Sequence, residues 1–339
     1  MDSWWAGITQ RPAALYSAAA MRIGLGLLFL VYLLRELPEA TRLWGPDAAW
    51  TPARNQALAE RADWAGWTKE LYGLLATDSV WFFWCCYGLA VLVAVAFIAG
   101  WRTRAVSVVF ALLVLVFFKR NVMVGDSSER VACILAVYLV FVACGRRWSL
   151  DARRATAASG HGEWEELRRR LVTLLHNAAL GVIGVQMALI YCSAGLAKVR
   201  GDMWRDGTAL YLQLQRDWWQ PFPGLTGQST DHLTLLLIAA YATVFVQLAF
   251  PFAVLSKWLK RPVLLIMLFF HVSIAVMMGL GYFSWGMAVG DLVFVSDGFW
   301  AGGLAWIARR RGEAPQEPGP SEESEEAEEA KAEVSVGST

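Results

Sequence analysis

The sequence predicts an all-α, polytopic membrane helix bundle, and three features carry that prediction. Hydrophobic residues make up 57% of the chain and charged residues only 17%, where a soluble domain holds about one-quarter charged. There are 18 tryptophans, a residue that favours the headgroup zone, where an apolar ring with one N–H suits the boundary. The apolar residues also fall in long runs, and a helix needs about 20 of them to cross hydrocarbon.

The runs follow in order. They are Tyr16 to Leu37, Val80 to Gly100, the short Ala105 to Phe118, Val131 to Gly145, Leu171 to Ala197, Leu233 to Leu255 and Pro262 to Leu280. The last is interrupted: Phe283 to Phe294, then Ser296-Asp297-Gly298, then Phe299 to Ala308. Together they predict about eight transmembrane helices, within a range of roughly seven to nine. The domain plan is an N-terminal cytoplasmic segment at 1–15, a transmembrane domain at 16–308 and a tail at 309–339.

Charge sets the orientation, because short cytoplasmic loops carry the excess of Lys and Arg. One alternate set of connections holds Arg102 and Arg104, then Arg146, Arg147, Arg153, Arg154 and Arg168 to Arg170, then Lys257, Lys260 and Arg261, then Arg309 to Arg311. The other set, at 38–79, 119–130, 198–232 and 281–283, mixes its cations with acids or has none. Both termini are therefore expected in the cytoplasm, and Lys198 on the outer side. The stretch EWEELRRRLV is too charged to span and reads as a surface helix entering the fifth run, with acids early and arginines late, as the helix dipole favours. Residues 53–72 have an apolar side and suit an interfacial helix on the outer face. The tail from Gly312 is rich in Glu, Pro and Ser and reads as disordered. Met1 to Pro12 has one basic residue and does not read as a cleaved signal.

Several function classes are excluded. A net charge of +1 with no basic, aromatic-interleaved stripe gives no nucleic-acid partner. The five cysteines have no C-x-x-C spacing and read as small packing residues. No phosphate loop, H-E-x-x-H or G-x-S-x-G appears. No second histidine stands at metal-ligand spacing from His271, so no metal is expected.

Ionisable residues within apolar runs are costly and are functional candidates. Arg22 is either an interfacial anchor or the partner of an acid on another helix. Asp291 pairs with Arg22 or Lys198, or is protonated. His271 is a packing residue or a ligand-facing group. Gln186 and Gln247 are polar residues in the fifth and sixth runs. Lys198 ends the fifth run, on one helical face with Tyr191, Gly195 and Asp202. Either it snorkels to the surface paired with Asp202, or it is shielded from water beside Arg200 and Arg205 and loses its proton readily enough to act as a general base. Gly201 and Gly207 would let the chain turn after it, and the segment TALYLQLQRDWW would lie along the outer surface as a lid.

Several stretches together resemble a known family. They are MRIGLGLLFLVYLLRELPEA, KRNVMVGDSSERV with RRWSLDA, YCSAGLAKVRGDMWRDGTALYLQL, FVQLAFPFAVL and FFHVSIAVMMGLGYFSWGMAVGDLVF, spread from Ser17 to Asp297. The chain resembles the HTTM (horizontally transferred transmembrane domain) family, bacterial relatives of vitamin K-dependent gamma-carboxylase. The resemblance implies a multi-pass protein of the bacterial plasma (inner) membrane with a lipid-facing cavity near Lys198. In the carboxylase a hydroquinone is oxidised by oxygen at an active-site lysine, a glutamate side chain is deprotonated and carbon dioxide is added. Carried onto this chain, Lys198 would be the base, with His271 and Asp126 as helpers. Trp204, Gly195, Tyr191 and Asn121 would surround a lipid quinol. Two departures from the carboxylase weigh against carboxylation of protein glutamate. KRNVMVGDSSER lacks its histidine, and the carboxylase's large lumenal domain after the spans is matched here only by an acidic tail on the opposite side. The alternative is a non-catalytic maturation or binding protein that holds a secreted peptide or a lipid in the same cavity, as one branch of these relatives, similar to the maturation protein of a sporulation-delaying toxin, suggests.

Overall fold

The structure, a computed structural model, describes residues 9, 11–61, 66, 71, 73–120, 127–154, 163–216 and 220–311. Asn121 and Asp126, two of the expected site residues, lie outside the described residues. Every regular element among those described is helical. In order they are α1 (Leu15–Arg35), α2 (Ala40–Leu43), α3 (Pro52–Arg61), α4 (Val80–Ala99), α5 (Thr103–Arg120), α6 (Ser127–Leu139), α7 (Leu150–Arg154), α8 (Glu163–Arg200), α9 (Asp202–Arg205), α10 (Ala209–Leu214), α11 (Pro223–Thr230), α12 (Leu233–Ala253), α13 (Lys260–Met278) and α14 (Gly281–Asp291). A separate unit starts at Asp297 and holds α15 (Asp297–Arg310).

Among the described residues, α1, α4, α8, α12 and α13 are long and apolar enough to cross a membrane. The other expected runs form shorter helices. α5 has 18 residues and carries Arg104, Lys119 and Arg120. α6 has 13, and the run to Gly145 gives way to turns after Leu139. The interrupted last run is two helices: α14 ends in a tight turn at Leu292–Phe294, and extended Val295 precedes α15.

The helix ends follow from local chemistry. Ser79 caps α4, its hydroxyl accepting from the Phe82 N–H at 3.3 Å. The same helix ends at Gly100 with φ 68, and a Cβ there would lie 2.3 Å from Cβ of Ser149, so glycine is required. Asp151 of α7 caps α5 from a distance in sequence. Its carboxylate accepts from the N–H groups of Arg102 (2.9 Å) and Thr103 (2.6 Å) and from the Thr103 hydroxyl (2.7 Å). α8 runs unbroken for 38 residues, about 57 Å at 1.5 Å per residue. Its acidic first turn and basic last turn suit the helix dipole. The expected surface helix EWEELRRRLV is thus the first turns of α8, projecting beyond the roughly 30 Å of hydrocarbon that the rest can cross.

α1 packs on α4 and α14, α5 on α4 and α6, α14 on α6 and α13, and α8 on α12. Phe29 of α1 meets Phe110, Phe117 and Phe118 of α5 edge to face. Beneath this cluster Arg22 is wholly buried. Among the described residues it bonds neither Asp291 nor any other acid. Its guanidinium donates to the carbonyls of Phe97 and Ile98 (2.5 Å each), Trp148 (2.6 Å) and Cys144 (3.2 Å). Phe97 and Ile98 belong to the last turn of α4, whose carbonyls have no partner within the helix. Arg22 therefore ties α1 to the end of α4 and to the loop after α6.

Two outcomes follow. Arg22→Met takes the guanidinium donors from four carbonyls, of which Phe97 keeps the Gly100 N–H, and is expected to cost about 3–5 kcal/mol, read as a lower midpoint of unfolding in detergent. Lysine at this position has one donor centre in place of a fork and should recover little of that loss. For Asp151, burial pushes the carboxyl up, but the three bonds from Thr103 and Arg102 outweigh it and hold it below the ordinary carboxylate value. Its stabilising contribution is thus complete above the unfolded-state value and fades as pH falls through the lower folded value. Asp151→Asn should flatten that acid limb of the stability–pH curve.

Candidate functional site

At the far end of α8 the helix stops at Gly201, which is extended (φ −83, ψ 128) and starts α9. This break takes Asp202 off the face of Lys198. Asp202 instead forms an ion pair with Arg205, so the expected Lys198–Asp202 pair is not made. Lys198 Nζ donates to Oε1 of Gln247 on α12 at 3.0 Å and stands over the Trp204 ring, 5.2 Å from its centroid. It is partly covered rather than extended into solvent. Gly207, with φ 80, turns the chain into α10; a Cβ there would lie 1.9 Å from Leu237, so the turn fits against α12 only as glycine.

Two turns earlier on α8, Tyr191 is buried. Its hydroxyl donates to Oδ2 of Asp291 on α14 at 2.7 Å and bonds Nε2 of His271 on α13 at 2.9 Å. His271 is thus not idle packing. It shares a buried polar chain with Tyr191 and Asp291, enclosed by Phe250, Phe270 and Phe283. Among the described residues, His271 Nδ1 and Asp291 Oδ1 are buried without a hydrogen-bond partner. Gly195, between Tyr191 and Lys198, allows the close approach that the sequence suggested: a Cβ there would lie 2.9 Å from Leu248 of α12.

These side chains border a chamber of about 280 Å³, lined by Tyr191, Lys198, Trp204, Gln247, His271 and apolar neighbours. Arg216 adds a second cation, and no described carboxylate lines it. A larger groove of about 480 Å³ runs between α12 and α13 under α10, and its lining is nearly all apolar. The two spaces share a wall of Leu210, Gln213, Gln247, Phe270, Ile274 and Met278. Leu210 and Gln213 come from α10, so the expected covering segment does lie over the site at 209–214, while Asp217 to Trp219 fall outside the described residues. The outer faces of α12 and α13 expose Phe245, Phe252, Leu265 and Phe269, a surface suited to lipid rather than water.

Of the residues singled out from sequence, Lys198, His271, Trp204, Gly195 and Tyr191 come together. Gln247, noticed as a polar residue in an apolar run, belongs with them, and so does Asp291, which is bonded by Tyr191 rather than by the expected Arg22 or Lys198. Their polarity was the signal; which neighbours they meet is a property of helix packing. The arrangement supplies a cationic or basic nitrogen, an aromatic wall, an unpartnered ring nitrogen and an apolar annex.

The helical fold, with five described helices long and apolar enough to cross a membrane, defines a helical membrane protein. The chain belongs to the HTTM family: the model of the HTTM domain matches residues 69–299. That makes it a membrane protein of the gamma-carboxylase-related family. It is also similar to an uncharacterised protein of Bacillus subtilis (strain 168), YitO, with 29% identity over 215 residues. That match covers 61% of this chain and 64% of the relative, so the chain spans just under two thirds of the relative's length. No solved structure matches.

The hydrogen-bonded chain gives a direct test. Tyr191→Phe removes the hydroxyl that both His271 and Asp291 use and should destabilise the protein by about 1–3 kcal/mol. Because the two bonds share that hydroxyl, losses from Tyr191→Phe and Asp291→Ala should sum to more than the loss in the double variant, measured by denaturant unfolding. Strict additivity would show that the bond contributes nothing.

Proposed function

We propose that the protein is a multi-pass membrane enzyme that binds a lipid quinol, with Lys198 as its base. The observation that carries this reading is a small aromatic-walled chamber with a few polar side chains that shares its lining with an adjoining apolar groove. An aromatic head fits the first and an isoprenoid tail the second. When bound, the quinol would supply reducing equivalents and an acidic hydroxyl. Lys198 Nζ, as the free amine, would take that hydroxyl proton, and the Gln247 carbonyl oxygen and the Trp204 face would then hold the ammonium. His271 Nδ1 is available to accept a hydrogen bond from a second hydroxyl. Tyr191 and Asp291 would fix the orientation of the imidazole.

The proposed topology has eight crossings in a bacterial inner membrane, both termini in the cytoplasm and the chamber on the outer side. α8 supports it. Arg168 near its start and Lys198 near its end are 30 residues apart, about 45 Å along the axis, more than the roughly 30 Å of hydrocarbon. The arginine-rich end and the chamber therefore lie at opposite membrane faces if α8 crosses.

One observation favours the second reading, a non-catalytic protein that holds a secreted peptide or a lipid. The two contacts of Lys198, an amide oxygen and an aromatic face, both suit a charged ammonium. A permanent cation binds anions and acids without removing protons.

Oxygen uptake by the purified protein with added quinol separates the two. The enzyme reading expects Lys198→Ala and Lys198→Arg both to lose activity by about 100-fold or more, with membrane insertion unchanged and quinol found by mass spectrometry of the extracted lipids. If no quinol co-purifies and Lys198→Arg retains the biological function, the binding reading replaces it, since arginine keeps the charge but is no base near neutral pH.

A further inference from the structure

A second cavity, of about 830 Å³, lies at the other end of the bundle. Its lining carries Arg102, Arg104, Arg146, Arg147 and Arg168 against one described acid, Asp151. That acid is already committed, since its oxygens cap α5 through Arg102 N–H and Thr103. Three of the arginines also have local partners. Arg168 pairs with Glu165, Arg147 stands over Tyr16 and Arg102 over Trp101. Arg104 and Arg146 have none among the described residues. They face the same cavity, from the first turn of α5 and from the loop after α6. Burial, and then the charge of Arg104, hold Arg146 below the ordinary guanidinium value. Arg104 is exposed and Arg146 half-buried, so two like charges are kept near each other at the cavity's rim, an arrangement that an incoming anion relieves. Leu15 and Val142 give the same hollow an apolar wall.

We propose that this cavity is a binding site for a phosphate-bearing anion, with Arg104 and Arg146 as its paired ligands. The phosphate group is the chemistry recognised, because a planar guanidinium matches its oxygens in a fork and two guanidinia can share one group. It can be presented by the headgroup of an anionic phospholipid, whose acyl chains would lie along the apolar side, or by free inorganic phosphate. The site is independent of the chamber at Lys198. Anchored there, such a ligand would join α5 to the α6–α7 loop, the loop that also accepts the hydrogen bonds of Arg22.

Thermal unfolding of the full-length protein tests this in three preparations: phosphatidylcholine nanodiscs, the same discs with a tenth of the lipid replaced by cardiolipin, and phosphatidylcholine discs with millimolar inorganic phosphate. Cardiolipin is expected to raise the midpoint by several degrees over phosphatidylcholine alone. Arg104→Gln with Arg146→Gln should abolish the rise, while Arg309→Gln with Arg310→Gln, which removes the same charge elsewhere, should leave it. An equal rise with inorganic phosphate identifies free phosphate as sufficient; no rise with either overturns the site. So does a cardiolipin rise that survives in the Arg104/Arg146 variant. Should that variant fail to purify, Arg104→Gln alone decides: it is expected to cut the cardiolipin-dependent rise at least by half, and an undiminished rise would sink the proposal.

Discussion

A polar group inside an apolar bundle has no water to bond, so its partner must come from the protein or from a ligand. That constraint sorts the buried polar residues of this chain into two kinds. Arg22 is the satisfied kind. Four carbonyls take its donors, two of them from the last turn of a helix, where the intrahelical ladder has run out. Such a group is structural, and it explains why α1, α4 and the loop after α6 meet where they do. The chain Asp291–Tyr191–His271 is the unsatisfied kind: it makes two good internal bonds and leaves Nδ1 of the histidine and Oδ1 of the aspartate open. Of the two, His271 borders the chamber, where a ligand can take up an open position.

The long elements were legible in the sequence because hydropathy is additive along a helix. α1, α4, α12 and α13 match the first, second, sixth and seventh apolar runs within a few residues, and α8 contains the fifth. The third run lies within α5 to two residues at each end, and the fourth was misjudged in length. At α6 the sequence stays apolar to Gly145 while the backbone turns away after Leu139, and composition does not record a turn made by packing. Arg22 illustrates another limit. Its partners are main-chain carbonyls, which every residue has, so nothing in the side-chain pattern could point to them.

At the site, the residue types were legible and the pairings were not. Counting along an ideal helix placed Asp202 under Lys198, four residues on. The helix ends at Gly201, and that single extended residue hands Asp202 to Arg205. Gln247 had been visible as an amide in an apolar run, and so had Asp291 as an acid. Which of them meets Lys198 depends on the close crossing of α8 and α12, which Gly195 permits against Leu248. The glycine was recognised as a point of approach; the partner helix needed the structure.

The contacts of Lys198 bear on what the site can recognise. Gln247 offers one neutral oxygen and Trp204 a ring face, and no described carboxylate lines the chamber. An ammonium group has three donors, and only one is used here by a hydrogen bond. A ligand that brings an acidic hydroxyl or an anionic oxygen thus gains more at this position than a neutral one. On the proposed reading, the break at Gly201 therefore does two things. It gives the acid to Arg205 in the outer segment, and it leaves the lysine facing a chamber where the ligand, rather than the protein, supplies the opposing charge.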